Sequence, residues 1–277
     1  MRCSPLNWAL YGISAYRYRV MSKDKSLYPE ILFHFCDKSG MFGILKSTFR
    51  VSYAREKIIG QERSREIGVP MVSFCDLKLS EVSAHMSKYG HYGIGLTKEW
   101  ANRNGLNPVL YISQYSPFTD GLIQGLDGIH AHRRKLEQTS DSSELSTDYM
   151  NIFNTYRYVK NYEAPLHRKN QEKIDKYRFA DEREWRYVPP LDTEGLAPFV
   201  PISTIKTQKQ KEKLNESISH IGLHFEPEDI RYLVVERDEE IAELITHLEQ
   251  VKGRFGWETL DRLKSRILTA EQINVDI

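Results

Sequence analysis

One block of the chain limits the folds open to it more than any other: residues 70–113, PMVSFCDLKLSEVSAHMSKYGHYGIGLTKEWANRNGLNPVLYIS. An apolar run from Val69 to Phe74 stops at Cys75-Asp76. A helical spacing follows, with Leu79, Val82, Met86 and Tyr89 along one face and Asp76 or Ser80 as the cap. A Tyr/Gly-rich strand then spans Tyr89 to Leu96, Lys98-Glu99-Trp100 makes a turn of helix, and Pro108 to Ile112 forms a closing strand. Glycine at alternate strand positions predicts that something approaches the backbone closely. Strands and helices that mix without a regular βαβ alternation predict an α+β fold.

The flanking sequence extends this pattern. Ile31 to Cys36, ILFHFC, reads as a strand, and Asp37 or Ser39 can cap a helix carrying Met41, Ile44, Leu45 and Phe49. Residues 54–68 are charged and predict a solvated loop or helix. Residues 121–138 and Tyr149 to Tyr158 read as helical, with a flexible insertion near 139–147 between them. Residues 161–177 read as polar loop. In FADEREWRYVPP, period-two alternation places Glu182, Glu184 and Arg186 on one strand face and Arg183, Trp185 and Tyr187 on the other. A basic helix near Gln208 to Ser219 precedes a strand at Ile230 to Glu236. An amphipathic helix follows, with Ile241, Leu244, Ile245, Leu248 and Val251 on one face, and Trp257, Leu260 and Leu263 mark a last short helix. The expected organisation is a lead-in over 1–29, one α+β domain over 30–245 and a helical C-terminal extension over 246–277.

Composition excludes little. With 39 Lys and Arg against 38 Asp and Glu, bulk charge argues neither for nor against a nucleic-acid ligand, which stays open through a local patch. No apolar run reaches the ~18 residues of a membrane span, and the first residues lack the form of a signal peptide. Three scattered cysteines, Cys3, Cys36 and Cys75, make no disulfide framework, so a reduced cytoplasm is the expected setting.

Several residues could carry chemistry. His34, in an apolar strand, either projects a polar nitrogen into a cleft or is a buried histidine with its hydrogen bond satisfied. Glu182 and Glu184 share a face with Arg186: one carboxylate can act on a ligand while the arginine holds the other ionised, or all three form a solvent-facing ion pair. Tyr89 and Tyr92 can stack on a base or a nicotinamide, or merely pack a tight turn. His130 and His132 have chelating spacing but no clustered ligands, which argues against a metal. Cys36 and Cys75 read as small core residues. Lys206 to Lys213 reads as a solvated helix face, with a nucleic-acid patch as the lesser reading.

Longer strings carry a family resemblance. Phe33-His34-Phe35, the segment from Pro70 to Trp100 with NPVLY behind it, FADEREWRYVP and FEPEDIRYLVVERDEEIAELI resemble the AbiGi family of abortive-infection, phage-defence proteins. That resemblance implies an antitoxin role and a cognate toxin of nucleotidyltransferase type as partner. A second similarity is to ADP-ribosyltransferases of the DarT-like and RNA 2′-phosphotransferase branches: a His-bearing strand, a helix with an Ile-Leu pair, a Val-Pro-led strand and a late strand with Glu. It implies a split, curved, antiparallel or mixed sheet and NAD as a cofactor. His34 would then bind a ribose, Phe74 or Tyr92 would lie near the nicotinamide with Tyr89 beside it, and Glu184, flanked by Glu182 and Arg186, would be the late-strand glutamate. Three functions follow: an antitoxin-like partner with a nucleotide-binding-type cleft, an NAD-using transferase or glycohydrolase, and an RNA- or nucleotide-binding module.

Overall fold

The structure is a computed structural model that describes residues 29–136, 143–166 and 173–276. Its elements, in chain order, are β1 (Ile31–Cys36), α1 (Lys38–Lys46), β2 (Phe49–Arg50), β3 (Ser52–Ile59), β4 (Ser64–Cys75), α2 (Ser83–Tyr89), β5 (Tyr92–Thr97), α3 (Lys98–Arg103), β6 (Asn107–Pro108) and β7 (Leu110–Ile112). Then come α4 (Pro117–Leu136), α5 (Ser143–Tyr156), β8 (Val159–Asn161), β9 (Glu163–Leu166), β10 (Ile174–Arg178) and β11 (Glu184–Tyr187). The chain continues through β12 (Val200–Pro201), α6 (Gln208–Ser217), β13 (Gly222–Leu223), β14 (Ile230–Val235), α7 (Ile241–Lys252), α8 (Trp257–Lys264), β15 (Ile267–Thr269) and α9 (Ala270–Asp276). The α+β class expected from the sequence is what is found.

A nine-stranded sheet runs in the order β15-β14-β5-β1-β4-β11-β6, with β3 and β12 also pairing with β4. Its pairings are antiparallel except β14 with β15, so the sheet is mixed. β4 is the shared spine: residues 64–71 pair with β3 and residues 72–75 with β11. β1 meets β4 at one pair alone, Phe33 with Cys75, and the two strands part beyond it.

Period-two alternation along β1 sends Leu32 to one face of the sheet and Phe33 and Phe35 to the other. The Leu32 face is buried with Met41 and Leu45 of α1, Trp100 of α3 and Leu244 and Leu248 of α7. Phe33 and Phe35 are buried with Met86 of α2 and Ile273 of α9. A third core gathers Ile58, Val69 and Met71 of the β3–β4 hairpin with Ile123 and Leu126 of α4 and Phe153 of α5.

Local signals explain several boundaries. Asp37 caps α1, its Oδ1 accepting from the Gly40 amide at 2.7 Å. Neither Asp76 nor Ser80 caps α2: a 3-10 turn over Leu79–Glu81 intervenes and the cap position, Val82, makes no side-chain bond. Residues 54–68 are not a solvated loop or helix but most of the β3–β4 hairpin. Most of their charges lie on the exposed positions of a half-buried ribbon, with Lys57 pairing across to Glu66 at 2.8 Å, while Glu56 points inward. The stretch 161–177 is likewise not all loop, since β9 pairs with β10. Of the insertion near 139–147, residues 139–142 lie outside the described residues and 143–147 open α5. The lead-in lies outside the described residues up to residue 28. The segment 246–277, expected to be helical, also gives the sheet β15, parallel to β14.

What approaches the glycines of β5 is aromatic and comes from the protein itself. Phe33 stands directly across from Gly95, and Phe35 across from Gly93. A Cβ built on Gly93 would lie 2.6 Å from the Phe35 ring, and one on Gly95 would lie 2.8 Å from the Phe33 ring. The missing side chains leave room for two rings that stack at 5.4 Å between centroids. Gly93→Val should therefore overpack this face and cost about 1–3 kcal/mol, read as a lower urea midpoint with an unchanged m-value; wild-type stability in that variant would refute the account.

Candidate functional site

The gap where β1 leaves β4 opens into a cavity of about 400 Å³. His34, Ser73, Phe74, Tyr89, Glu182 and Glu184 line it, together with Glu56, His85, Lys160 and Lys211. Five of the seven residues singled out from the sequence thus converge on one cleft: His34, Phe74, Tyr89, Glu182 and Glu184. Arg186 stands behind its wall with no exposed surface. Tyr92 lies elsewhere: its hydroxyl donates to Glu240 at 2.6 Å and reaches Glu236 at 3.4 Å, tying β5 to the start of α7.

The floor of the cleft is a closed set of charges. Glu184, on β11, is 5 % exposed. Its Oε1 accepts from the Ser73 hydroxyl at 2.7 Å and from Arg186 Nε at 2.7 Å. Its Oε2 accepts from Lys160 Nζ at 2.6 Å and from the far guanidinium nitrogen of Arg186 at 3.3 Å. Burial opposes ionisation, but the Arg186 guanidinium and then the Lys160 ammonium outweigh it and hold the Glu184 carboxyl well below the usual carboxylate range. The cations respond in kind. Burial pulls Arg186 down, yet Glu184 and Glu56 raise it, the latter from 3.1 Å. Lys160 is raised by the same two carboxylates against its own burial.

Glu182 is not on the strand with Glu184. It closes a 3-10 turn over Phe179–Glu182, and Arg183 follows in the left-handed region at φ 45°. That turn still leaves the Glu182 side chain 4 % exposed at the cleft wall, where it accepts from the Tyr89 hydroxyl at 2.6 Å and the Tyr177 hydroxyl at 2.8 Å. The face shared by Glu184 and Arg186 is as expected; the inclusion of Glu182 in the strand is corrected by the Arg183 backbone.

His34 is fixed from the opposite side. Its Nδ1–H donates to the Ser73 carbonyl at 2.8 Å. Burial, against that hydrogen bond, lowers its pKa, so the ring is neutral at neutral pH and Nε2 is left as an acceptor. Phe49 meets it edge-on at 5.3 Å and Phe74 lies 5.6 Å away. Ser73 bridges the two sides, its carbonyl on His34 and its hydroxyl on Glu184. The His85 ring stacks on Tyr89 at 4.2 Å, and Lys211 of α6 is half-buried, its ammonium in no hydrogen bond or ion pair among the described residues. Burial, and then Arg55, lower the Lys211 pKa, the condition of an ammonium lacking an anion.

Sequence reasoning missed Ser73, Lys160 and Glu56, which complete the Glu184 set. Lys160 sits between buried Val159 and buried Asn161 in a three-residue strand, too short for alternation to single it out. Lys211 fell within the expected basic cluster, but nothing in that cluster separated the inward lysine from the outward ones. The two described cysteines are held as thiols: burial, and then Asp37, push Cys36 up to about 12, and burial pushes Cys75 up as well. Among the described residues no group of three or more His, Cys, Asp or Glu side chains could hold a metal ion. No described helix is long and apolar enough to cross a membrane.

A family model described as abortive phage resistance protein AbiGi, antitoxin, matches residues 47–236, which contain the whole cleft except its β1 wall. The chain belongs to the AbiGi family. It is similar to an abortive phage resistance protein AbiGi of Lactococcus lactis subsp. cremoris, with 27 % identity over 229 residues, covering 76 % of this chain and 90 % of that one. No solved structure matches.

Within this AbiGi chain the charge set fixes the acid response. The folded Glu184 pKa lies below the unfolded value of about 4.3. The stability from its pairing is therefore complete above that value and is lost as pH falls through the folded pKa. Glu184→Gln should flatten the fall in unfolding free energy below about pH 4, measured by urea titration at stepped pH; a slope equal to wild type would refute the assignment. Arg186→Met, which leaves Glu184 and Glu56 buried without their shared cation, should cost about 3–5 kcal/mol, and a loss under 1 kcal/mol would show the network to be incidental.

Proposed function

We propose that the protein is the antitoxin-like member of an abortive-infection pair and that its cleft binds a nucleotide without transforming it. The family description supports the antitoxin part. The cleft part rests on one observation: among the described residues, the hydrogen bonds that the Glu184 carboxylate accepts come from Ser73, Lys160 and Arg186. Cleaving a bond from ribose to a nicotinamide develops oxocarbenium charge, and a carboxylate assists only if it presents its own charge to that centre. Glu184 directs its charge into the protein. What faces the cavity instead is suited to holding: the neutral His34 ring, the Tyr89–His85 stack and the unpaired Lys211 ammonium.

The partner implied is a toxin of nucleotidyltransferase type encoded beside this chain. Expressed alone, the chain should leave growth unchanged, and expressed with that toxin it should restore colony formation. Failure to restore it would end the antitoxin reading.

A second reading has one observation in its favour. His34, Phe74 and Glu184, the residues to which the ADP-ribosyltransferase resemblance points, line one cleft. On that reading NAD is consumed and Lys160 moves away from Glu184 when it binds. Growth arrest by the chain alone, relieved by Glu184→Gln and accompanied by loss of NAD, would replace the antitoxin proposal with this one; a growth-neutral wild type removes it.

A further inference from the structure

A second concavity of about 600 Å³ lies at the β14–β15 side of the sheet, lined by none of the residues of the first. Its wall carries Lys78, Arg231 and Arg266 against one acid, Glu30, with Tyr232, Leu79 and Leu268 as its apolar part.

The concavity is built by a β-bulge. Ile230 pairs with Leu96 and Tyr232 with Gly95, so Arg231 is an extra residue in β14. In a regular strand Ile230 and Tyr232 would share a face. Here Ile230 is buried in the core beneath α7, while Tyr232 packs on the opposite face at 5.9 Å from Phe33. The bulge turns two successive side chains, Arg231 and Tyr232, into the same concavity. The carbonyl of Ile230 accepts from Arg266, which brings a second guanidinium to the same wall.

These cations lack an anion. Arg231 and Lys78 are exposed, and their side chains make no hydrogen bond or ion pair among the described residues. Burial, and then Arg231 and Arg262, lower the Arg266 pKa, with Glu228 only partly offsetting them. Guanidinium groups present planar forks that suit phosphate oxygens, and a half-exposed tyrosine ring offers a base a stacking surface.

We propose that this concavity is a nucleoside-phosphate site, with phosphate held by Arg231, Arg266 and Lys78 and the base laid against Tyr232. Such a unit comes either as a free mononucleotide or within a single strand of RNA. An acidic peptide would engage the same cations but not the ring.

The test is fluorescence anisotropy on the full chain with a labelled oligoadenylate of about eight nucleotides. Binding should weaken steeply with salt, and Arg231→Glu should weaken it at least about ten-fold and reduce the log–log salt slope by about 1. Lys78→Glu, on a different segment and equally exposed, should act in the same direction, and Tyr232→Leu should weaken binding without changing the salt slope. Competition by adenosine monophosphate at concentrations matching the strand's own affinity identifies the free nucleotide as the source; resistance to it identifies the strand. Wild-type binding in both charge-reversal variants overturns the site, and so does displacement by polyglutamate as effective as by unlabelled strand.

Discussion

The buried contact of Arg186 with Glu184 and Glu56 is what the centre of this molecule depends on. It draws three strands, β3, β4 and β11, to one point, because Ser73 of β4 also donates to Glu184. Lys160 brings β8 to the same carboxylate. A cation with no exposed surface is tolerable only where carboxylates and carbonyls take its protons, and here the Arg157 carbonyl takes one as well. The set fixes the relative position of the sheet and the β7–β8 pair, and with it the shape of the cleft. Stability and site are one arrangement: the Glu184 carboxylate that lines the cleft also holds its walls together.

The periodic parts of the fold were legible in the sequence. The apolar stripe of α7, the strand at Ile230 and the Asp37 cap each follow from local pattern. Residues 54–68 were not, because charge outweighed a weak alternation in which only Ile58 and Ile67 mark the buried face before Val69. Glu182 shows a different limit: period two holds only while the backbone stays extended, and Arg183 leaves that region. Tyr92 shows a third. Its position in a Tyr/Gly strand suggested a ligand platform, yet its hydroxyl meets carboxylates near residue 240, a contact that no local window contains.

The candidate site was half legible for a related reason. Its histidine, aromatics and glutamates announced themselves by type. The groups that set their behaviour, Ser73, Lys160 and Glu56, come from three separate strands and are ordinary surface residues by composition. Whether a glutamate is free to act or bound to its neighbours is a property of the assembled sheet, and it is the property on which catalyst and partner divide.

The pairing of Phe33 with Gly95 and Phe35 with Gly93 also works as a register lock. Sliding β1 by one residue would set its rings opposite Ile94 and Leu96 or Tyr92, where there is no room, and would turn His34 toward the core beneath α2. The two glycines thus act as a ratchet with one allowed tooth. They fix which side chain of β1 reaches the Ser73 carbonyl, so the aim of the histidine is decided by packing on the opposite face of the strand.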